Sequence, residues 1–292
     1  MFNLVRAATQ DDLLLSGLYV PGPKNRPALL HIHGSEGDFF SNEFIAAFAQ
    51  KLNGQNAFLT VQTRGTAGDL GIFKADRSGW VRAGGWYELL SEAKLDIDAW
   101  VKFLIGQGYS KVILSGHSLG TLKVTRYLFE GAFKDKIAGL ILLAPFDNIY
   151  LAEHYTKGRW PKYLVIAKQK VAAGQGKKII PKRFLDSKVS YQTYLSWLGD
   201  GDFSHTFDFH RPDYDFPILN KIKVPVLVVA GTKDEYFHPS NPNRPEEVIG
   251  ILNRHIAKCE TFLINGSGHN YVGFQTQVAD AVTKFLVEPR LT

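Results

Sequence analysis

The sequence VILSGHSLG, residues 112–120, places an apolar run directly before a serine that is framed by glycines. The pattern is G-x-S-x-G, with Gly116, Ser118 and Gly120 at its fixed positions. A serine on a sharp strand-to-helix turn needs small neighbours, so that the strand and the helix approach each other and the hydroxyl stands clear. The stretch therefore predicts a strand, a tight turn at Ser118 and a helix. Because a five-residue pattern also occurs by chance, the rest of the chain must support this prediction.

Apolar runs alternate with helical stretches along most of the 292 residues. Runs such as PALLHIHG (27–34) and NAFLTVQTRG (56–65) are apolar nearly throughout, which is typical of strands buried on both faces of a parallel sheet. A stretch such as ELLSEAKLDIDAWVKFLIGQG (88–108) has apolar residues three and four apart, as a helix packed on a sheet would. The alternation predicts an α/β fold with a mostly parallel central sheet flanked by helices.

Between Pro145 and Pro225 this alternation stops. Long insertions in compact domains are usually lids or binding elements. We therefore expect a core of residues 1–145 and 223–292 and a cap of residues 146–222, inserted after the sixth strand. Four aromatic residues of the cap are candidate walls of a substrate pocket, although each could instead belong to the cap's own small core: Tyr150, Trp160, Tyr194 and Trp197.

A serine hydroxyl is a weak nucleophile, so Ser118 needs a general base and a carboxylate that orients the base. His269 lies in the glycine-rich stretch NGSGHNYVGF, and Asp234 lies in VVAGTKDEYFHP; each follows a predicted strand. Ligands meet open α/β sheets at the carboxyl ends of the strands, where these side chains are expected to converge. Asp147, after the strand LILLAP, is the rival acid. For the developing negative charge on a substrate oxygen, we expect the backbone amides of Leu119 and Ser35 as donors.

The remaining histidines offer alternatives. A structural role is expected for His31 and His33, which alternate along a buried strand, and for His117, which lies inside the serine turn. The histidines in the insertion or near Asp234 could contact substrate; they are His205, His210 and His238. His117 is also kept as a candidate substrate contact because it adjoins the serine. Metal chemistry is not expected, since HIH lacks a third ligand and H-E-x-x-H is absent from the sequence. The sequence also lacks the glycine-rich phosphate-binding motifs, so we expect no cofactor.

The formal net charge is +6, and the excess of positive charge is concentrated in one segment of the sequence. Residues 151–190 contain ten Lys or Arg against Glu153 and Asp186, which indicates either a solvated helical face or attraction of an anionic substrate. No nucleic-acid-binding signature accompanies this charge, so no nucleic-acid partner is expected. Cys259 is the single cysteine and no run of eighteen apolar residues occurs, so we expect a cytoplasmic protein without a membrane span. The oligomeric state is not indicated.

The chain resembles the α/β-hydrolase superfamily from LLLSGLYVP to its last helix. The resemblance rests on HIHGSEGDFF, FLTVQTRG, LSGHSLG, AGTKDEY and GSGHNY, and on the chain order Ser118, Asp234, His269. LTVQTRG together with FDFHRPDYDFP is similar to a branch related to the DUF1749 proteins, which includes fungal siderophore ester hydrolases. Relatives often carry HGxGG, whereas Glu36 stands here at a position that is usually small, which makes Glu36 a candidate substrate contact.

The resemblance implies a serine hydrolase that cleaves a carboxylic ester of a small or medium substrate. Ser118 would attack the acyl carbonyl, His269 would act as base and then as acid, and Asp234 would orient His269. Two alternatives remain open, since the same triad serves amide or C–C bond hydrolases and the same scaffold also serves as a non-catalytic ligand receptor.

Overall fold

The computed structural model describes residues 2–237 and 245–287. Strands and helices follow one another in these residues largely as the sequence predicts. The strands are β1 (Asn3–Ala8), β2 (Leu14–Val20), β3 (Ala28–Ile32), β4 (Phe58–Val61), β5 (Leu70–Phe73), β6 (Trp80–Ala83), β7 (Val112–His117), β8 (Ile137–Leu143), β9 (Val226–Gly231) and β10 (Cys259–Ile264). The α-helices are α1 (Phe44–Leu52), α2 (Ala93–Gly106), α3 (Leu119–Glu130), α4 (Asn148–Thr156), α5 (Trp160–Ala172), α6 (Tyr191–Leu198), α7 (Pro245–His255) and α8 (Gln275–Leu286).

Eight of these strands form one sheet in the order β1-β2-β4-β3-β7-β8-β9-β10. The pairs from β4 to β10 are parallel, whereas β1–β2 and β2–β4 are antiparallel. β3, β7 and β9 are buried along their whole length, as central parallel strands covered on both faces must be. The predicted α/β fold with a mostly parallel sheet is confirmed.

Helices cover both faces of the sheet. On one face α1 and α8 pack against β3, β7, β8 and β9, with Phe44, Phe48, Val282 and Phe285 in the contact. On the other face α2, α3 and α7 pack with the helices of residues 146–222, and Trp100 and Tyr127 are buried there. The carboxyl ends of the parallel strands, which the candidate residues follow, therefore lie at one edge of the sheet, between these two helical layers.

A two-stranded hairpin of β5 and β6 was not predicted from the sequence. Each strand has only four residues, too few for a clear alternation of apolar and polar side chains. Ile72 anchors the hairpin in the core, while Phe73 and Trp80, paired across it, are 67% and 64% exposed.

Residues 146–222 are all described and contain α4, α5 and α6 but no strand of the main sheet. Their helices share an aromatic cluster in which the Tyr163 and Phe184 rings stack at 4.2 Å and Tyr194 is fully buried. No helix within 2–237 or 245–287 is long and apolar enough to cross a membrane.

Candidate functional site

Ser118 occupies the turn between β7 and α3. Its backbone has φ 53° and ψ −123°, a strained conformation for a residue with a side chain. A Cβ atom at Gly116 would lie 2.3 Å from the carbonyl oxygen of Gly120, and one at Gly120 would lie 2.4 Å from the carbonyl oxygen of Ile32. Both glycines are therefore required by close packing, and the sharp turn predicted at Ser118 is present.

Asp234 and His269 meet although 35 positions separate them. Asp234 follows β9 and His269 follows β10, its parallel neighbour, so both side chains emerge at the same sheet edge. The Nδ1 of His269 lies 3.0 Å from each carboxylate oxygen of Asp234, and both residues are buried. A carboxylate accepts only, so Nδ1 carries the proton and Nε2 of the neutral ring is left as an acceptor.

Ser118 and His269 line the same cavity, which has a volume of about 350 Å³. This is the size of a small-molecule site. The other lining residues are Gly34, Ser35, Gly37, Ser41, Asn42, His117, Leu119, Phe146, Leu151, Ser187, Trp197, Tyr236 and Asn270. The structure therefore brings Ser118, His269, Ser35, Leu119, His117 and Trp197 of the predicted residues to one place, with Asp234 directly behind His269.

The backbone amides of Ser35 and Leu119 are available beside Ser118. Leu119 is the first residue of α3, so its N–H has no partner inside the helix. Among the described residues neither amide donates to a protein acceptor. Two residues with free backbone donors thus line the cavity together with Ser118, and the partial positive charge of a helix N-terminus lies at one of them, Leu119.

Four predicted substrate contacts do not line this cavity, and one of them is Tyr194, which is fully buried in the aromatic cluster. Glu36 has φ 52°, and its side chain turns against Gly85. The ring of Tyr150 packs against His154 and His210, with centroids 5.6 and 5.4 Å away. Trp160 packs against the hydrophobic core at the start of α5, as the alternative of a structural role anticipated.

The rival acid, Asp147, has a different partner. Its carboxylate caps α4 by accepting from the Tyr150 amide, and it also accepts from the backbone N–H and the Nδ1 of His210. His31 and His33 are buried in β3 and directly after it. His238 lies outside the described residues.

Asp147, Asp208 and His210 bring three potential metal-ligand atoms within 4.8 Å of one another. Both carboxylates are fully buried, and their charge is met by the ring of His210 and, at Asp208, by Arg211 and His205. The cluster fits an ion-pair network that ties the loop 205–211 to the end of β8.

Sequence reasoning missed several cavity residues. Asn270 lies one residue after His269 in GSGHNY, and Tyr236 lies two residues after Asp234 in AGTKDEY, so their positions after strand ends are a usable signal. Phe146 lies just beyond β8 and gave the same signal. Ser187 lies in a loop of residues 146–222 with no pattern that marks it. The indole N–H of Trp197 is buried and has no partner within the described residues.

Comparison with solved structures identifies the fold. The structure superposes on Est1E of Butyrivibrio proteoclasticus with bound ferulic acid (TM-score 0.62, 20% identity, 97% of this chain and 98% of that chain). It also superposes on the α/β hydrolase GrgF from Penicillium sp. sh18 (0.67, 16%, 98% and 98%) and on a malate-bound thermophilic esterase from Thermogutta terrifontis (0.59, 16%, 97% and 98%). At these identities the likeness concerns the fold.

No curated protein matches the sequence. The family model described as "Protein of unknown function (DUF1749)" matches residues 83–288, which include the serine turn, residues 146–222 and both Asp234 and His269. With this match over more than half of its length, the chain belongs to the DUF1749 family, and its fold is that of the α/β hydrolases.

Proposed function

We propose that the protein is a serine hydrolase that cleaves a carboxylic ester of a small or medium substrate. One observation carries the proposal: Ser118, on a strained turn at a strand end, shares a cavity with a histidine whose Nδ1 is held by a buried carboxylate. This combination supplies a nucleophile, a base and a group that orients the base.

The reaction proceeds in two halves. His269 Nε2 takes the proton of Ser118 as its oxygen attacks the acyl carbonyl, and Asp234 stabilises the imidazolium. The carbonyl oxygen becomes an oxyanion that accepts from the amides of Ser35 and Leu119. When the ester bond breaks, the leaving alcohol takes the proton from His269. Water, deprotonated by His269, then attacks the acyl-enzyme; as the bond to Ser118 breaks, His269 returns the proton to the serine oxygen and the acid is released.

The cavity favours an uncharged substrate with an aromatic or apolar part. Phe146, Trp197 and Tyr236 line it. None of the ten Lys or Arg of residues 151–190 lines the cavity, so their charge does not support selection of anionic esters. Est1E, a structure with the same fold, binds ferulic acid, which makes aromatic acyl esters a suitable first series to test.

Residues 146–222 are proposed to form the cap of this site. Phe146, Leu151, Ser187 and Trp197 all come from this segment and close one side of the cavity. The same residues would serve an amide or C–C bond hydrolase, or a receptor that binds without turnover. A cytoplasmic location is part of the proposal and is supported by the single cysteine, Cys259.

The test is the Ser118→Ala variant, assayed with p-nitrophenyl acetate and with a series of aromatic acyl esters. We expect hydrolysis to fall by at least about 10³-fold and labelling by a fluorophosphonate to disappear, because the nucleophile is lost. Ser110→Ala, at an exposed serine before β7, is the matched control and should keep both. Wild-type protein that binds an ester without labelling or turnover would instead indicate a receptor.

A further inference from the structure

His33 is a buried histidine for which the proposed reaction has no use. It follows β3 directly and precedes Gly34 and Ser35, which line the cavity beside Ser118. Its Nδ1 lies 2.8 Å from the carbonyl oxygen of Gly34. At the other side of the ring, Nε2 lies 3.0 Å from Thr63 Oγ1, 2.9 Å from Thr66 Oγ1 and 3.3 Å from the Thr63 amide nitrogen.

These partners determine the tautomer of His33. The carbonyl of Gly34 can only accept, so the proton is on Nδ1; the backbone N–H of Thr63 can only donate, so Nε2 is unprotonated. Burial, with the nearby charge of Lys123, lowers the pKa of His33 to about 3. The ring is therefore neutral across the working pH range, with one donor and one acceptor fixed in direction.

The bond to Gly34 determines where the next amide points. In a trans peptide the C=O and the following N–H point in opposite directions. Because His33 holds the Gly34 oxygen on its own side, the N–H of Ser35 is directed away from the ring. That N–H has no acceptor among the described residues, and Ser35 lines the cavity.

The loop is also wrapped around the ring. A Cβ atom at Gly37 would lie 3.2 Å from both Cβ and Nδ1 of His33, and the Gly37 carbonyl accepts from the Ala67 amide at 3.1 Å. His33 thus connects the loop 34–37 to the segment after β4 through Thr63 and Thr66. A misplaced donor loses much of its effect on a developing oxyanion. The ring of His33 therefore affects the reaction rate through the direction of the Ser35 N–H.

We propose that His33 is a positioning residue that fixes the Gly34–Ser35 peptide, so that the Ser35 amide is directed at the oxyanion of the reaction. The inference rests on the proposed function of Ser118. It assigns to His33 a role in kcat that a merely buried histidine does not have.

Two matched variants separate this role from packing. In His33→Asn the side-chain amide nitrogen takes the place of Nδ1 and keeps the bond to Gly34, whereas the acceptor for the threonines is lost. In His33→Gln the amide oxygen reaches the place of Nε2 and keeps the threonine bonds, whereas the bond to Gly34 is lost. Each variant therefore removes one of the two anchors of the ring.

We expect His33→Gln to lower kcat for a p-nitrophenyl ester by about 10²-fold, close to the effect of losing one oxyanion donor, with KM changed by less than about threefold. His33→Asn should keep kcat within about fivefold of wild type. The dissociation constants of the two variants for an ether analogue of the ester, which cannot react with Ser118, should differ less than their kcat values. Equal kcat in the two variants, whether both high or both low, would overturn the proposal.

Two further readouts keep the outcomes distinct. Wild-type protein that neither hydrolyses esters nor reacts with a fluorophosphonate would refute the proposed function itself, whereas an active wild type with an active His33→Gln refutes only the role of His33. If His33→Gln does not fold, as judged by its thermal transition, His33→Ala, which also lacks the bond to Gly34, is compared with His33→Asn in its place. His33→Ala should have a kcat about 10²-fold below that of His33→Asn at similar KM, and equal kcat values would overturn the proposal.

Discussion

The Nε2–H of His117 donates to the backbone carbonyl oxygen of His269, 3.0 Å away and 152 positions along the chain. His117 precedes the candidate nucleophile, so this bond ties the loop that carries the histidine to the strand that carries the serine. The ring centroids of His117 and His269 lie 5.1 Å apart. Burial and the charge of His269 lower the pKa of His117 to about 3, which keeps its ring neutral and its donor in place.

We predict that His117→Asn lowers kcat about tenfold or more, because the shorter amide cannot reach the His269 carbonyl and the loop is released. His117→Gln should restore most of the activity, since its amide nitrogen can occupy the place of Nε2. Steady-state kinetics on a p-nitrophenyl ester measure both. If the two variants are equally impaired, the bond to His269 does not set the position of the loop.

Asp234 and Asp147 both follow a strand, and only Asp234 contacts His269. Asp234→Asn should lower kcat by about 10³- to 10⁴-fold, because the amide can hold the ring in the wrong tautomer. Asp147→Asn should leave kcat within about tenfold and lower the thermal transition instead, since Asp147 caps α4 and holds His210. A reversal of these two effects would assign the acid to Asp147.

The fold could be predicted because strongly apolar strands and amphipathic helices alternate over most of the chain. The site could be predicted where a residue follows a strand end or a glycine-rich turn, as with Ser118, Asp234 and His269. Sequence pattern does not reveal the direction of a side chain, which is why Glu36 and Tyr150 were expected in the cavity. Glu36 turns away through a left-handed backbone, and Tyr150 is engaged by its helix neighbour His154 and by His210.

The buried ion pair of Lys123 and Glu88 could not be predicted from any sequence motif. Lys123 lies in α3, one turn beyond the serine, and its Nζ is 2.7 Å from Glu88 Oε1, with both side chains fully buried. Lys123→Met should lower the free energy of unfolding by about 3–5 kcal/mol, because it leaves the Glu88 carboxylate buried without a partner.

The double variant Lys123→Met with Glu88→Leu should recover much of that loss, since no buried charge remains. Lys94→Met, at a partly exposed pair with Glu130, is the control and should cost less than about 1 kcal/mol. Urea denaturation measures all three. A double variant no more stable than Lys123→Met alone would show that the cost arises from packing.

His210 makes the attachment of the loop 205–211 depend on pH. Its Nδ1 lies 2.7 Å from Asp147 Oδ2 and 2.9 Å from Asp208 Oδ1, and its Nε2 lies 3.6 Å from Glu153 Oε2. Burial lowers the pKa of His210, but the hydrogen bond and charge of Asp147, together with Glu153, outweigh burial and raise it above its usual value.

A raised pKa means that the folded protein binds the proton more tightly than the unfolded chain. The stabilisation is therefore complete below the unfolded value of about 6.5 and is lost as the pH rises through the higher folded value. We predict that the difference in thermal transition between wild type and His210→Gln is larger at pH 6 than at pH 9, as measured by calorimetry.

His205 provides the opposite case on the same loop. Burial, followed by the charge of Arg211, lowers the pKa of His205. The contribution of His205 to the stability of the folded protein is therefore present above about pH 6.5 and is lost as the pH falls. His205→Gln should accordingly differ from wild type more at pH 8 than at pH 5. The thermal transitions of the two variants could instead differ from that of wild type by the same amount at every pH. The loop would then be held by packing and by the ion pair of Arg211 with Asp208, and protonation of the two histidines would not affect its attachment.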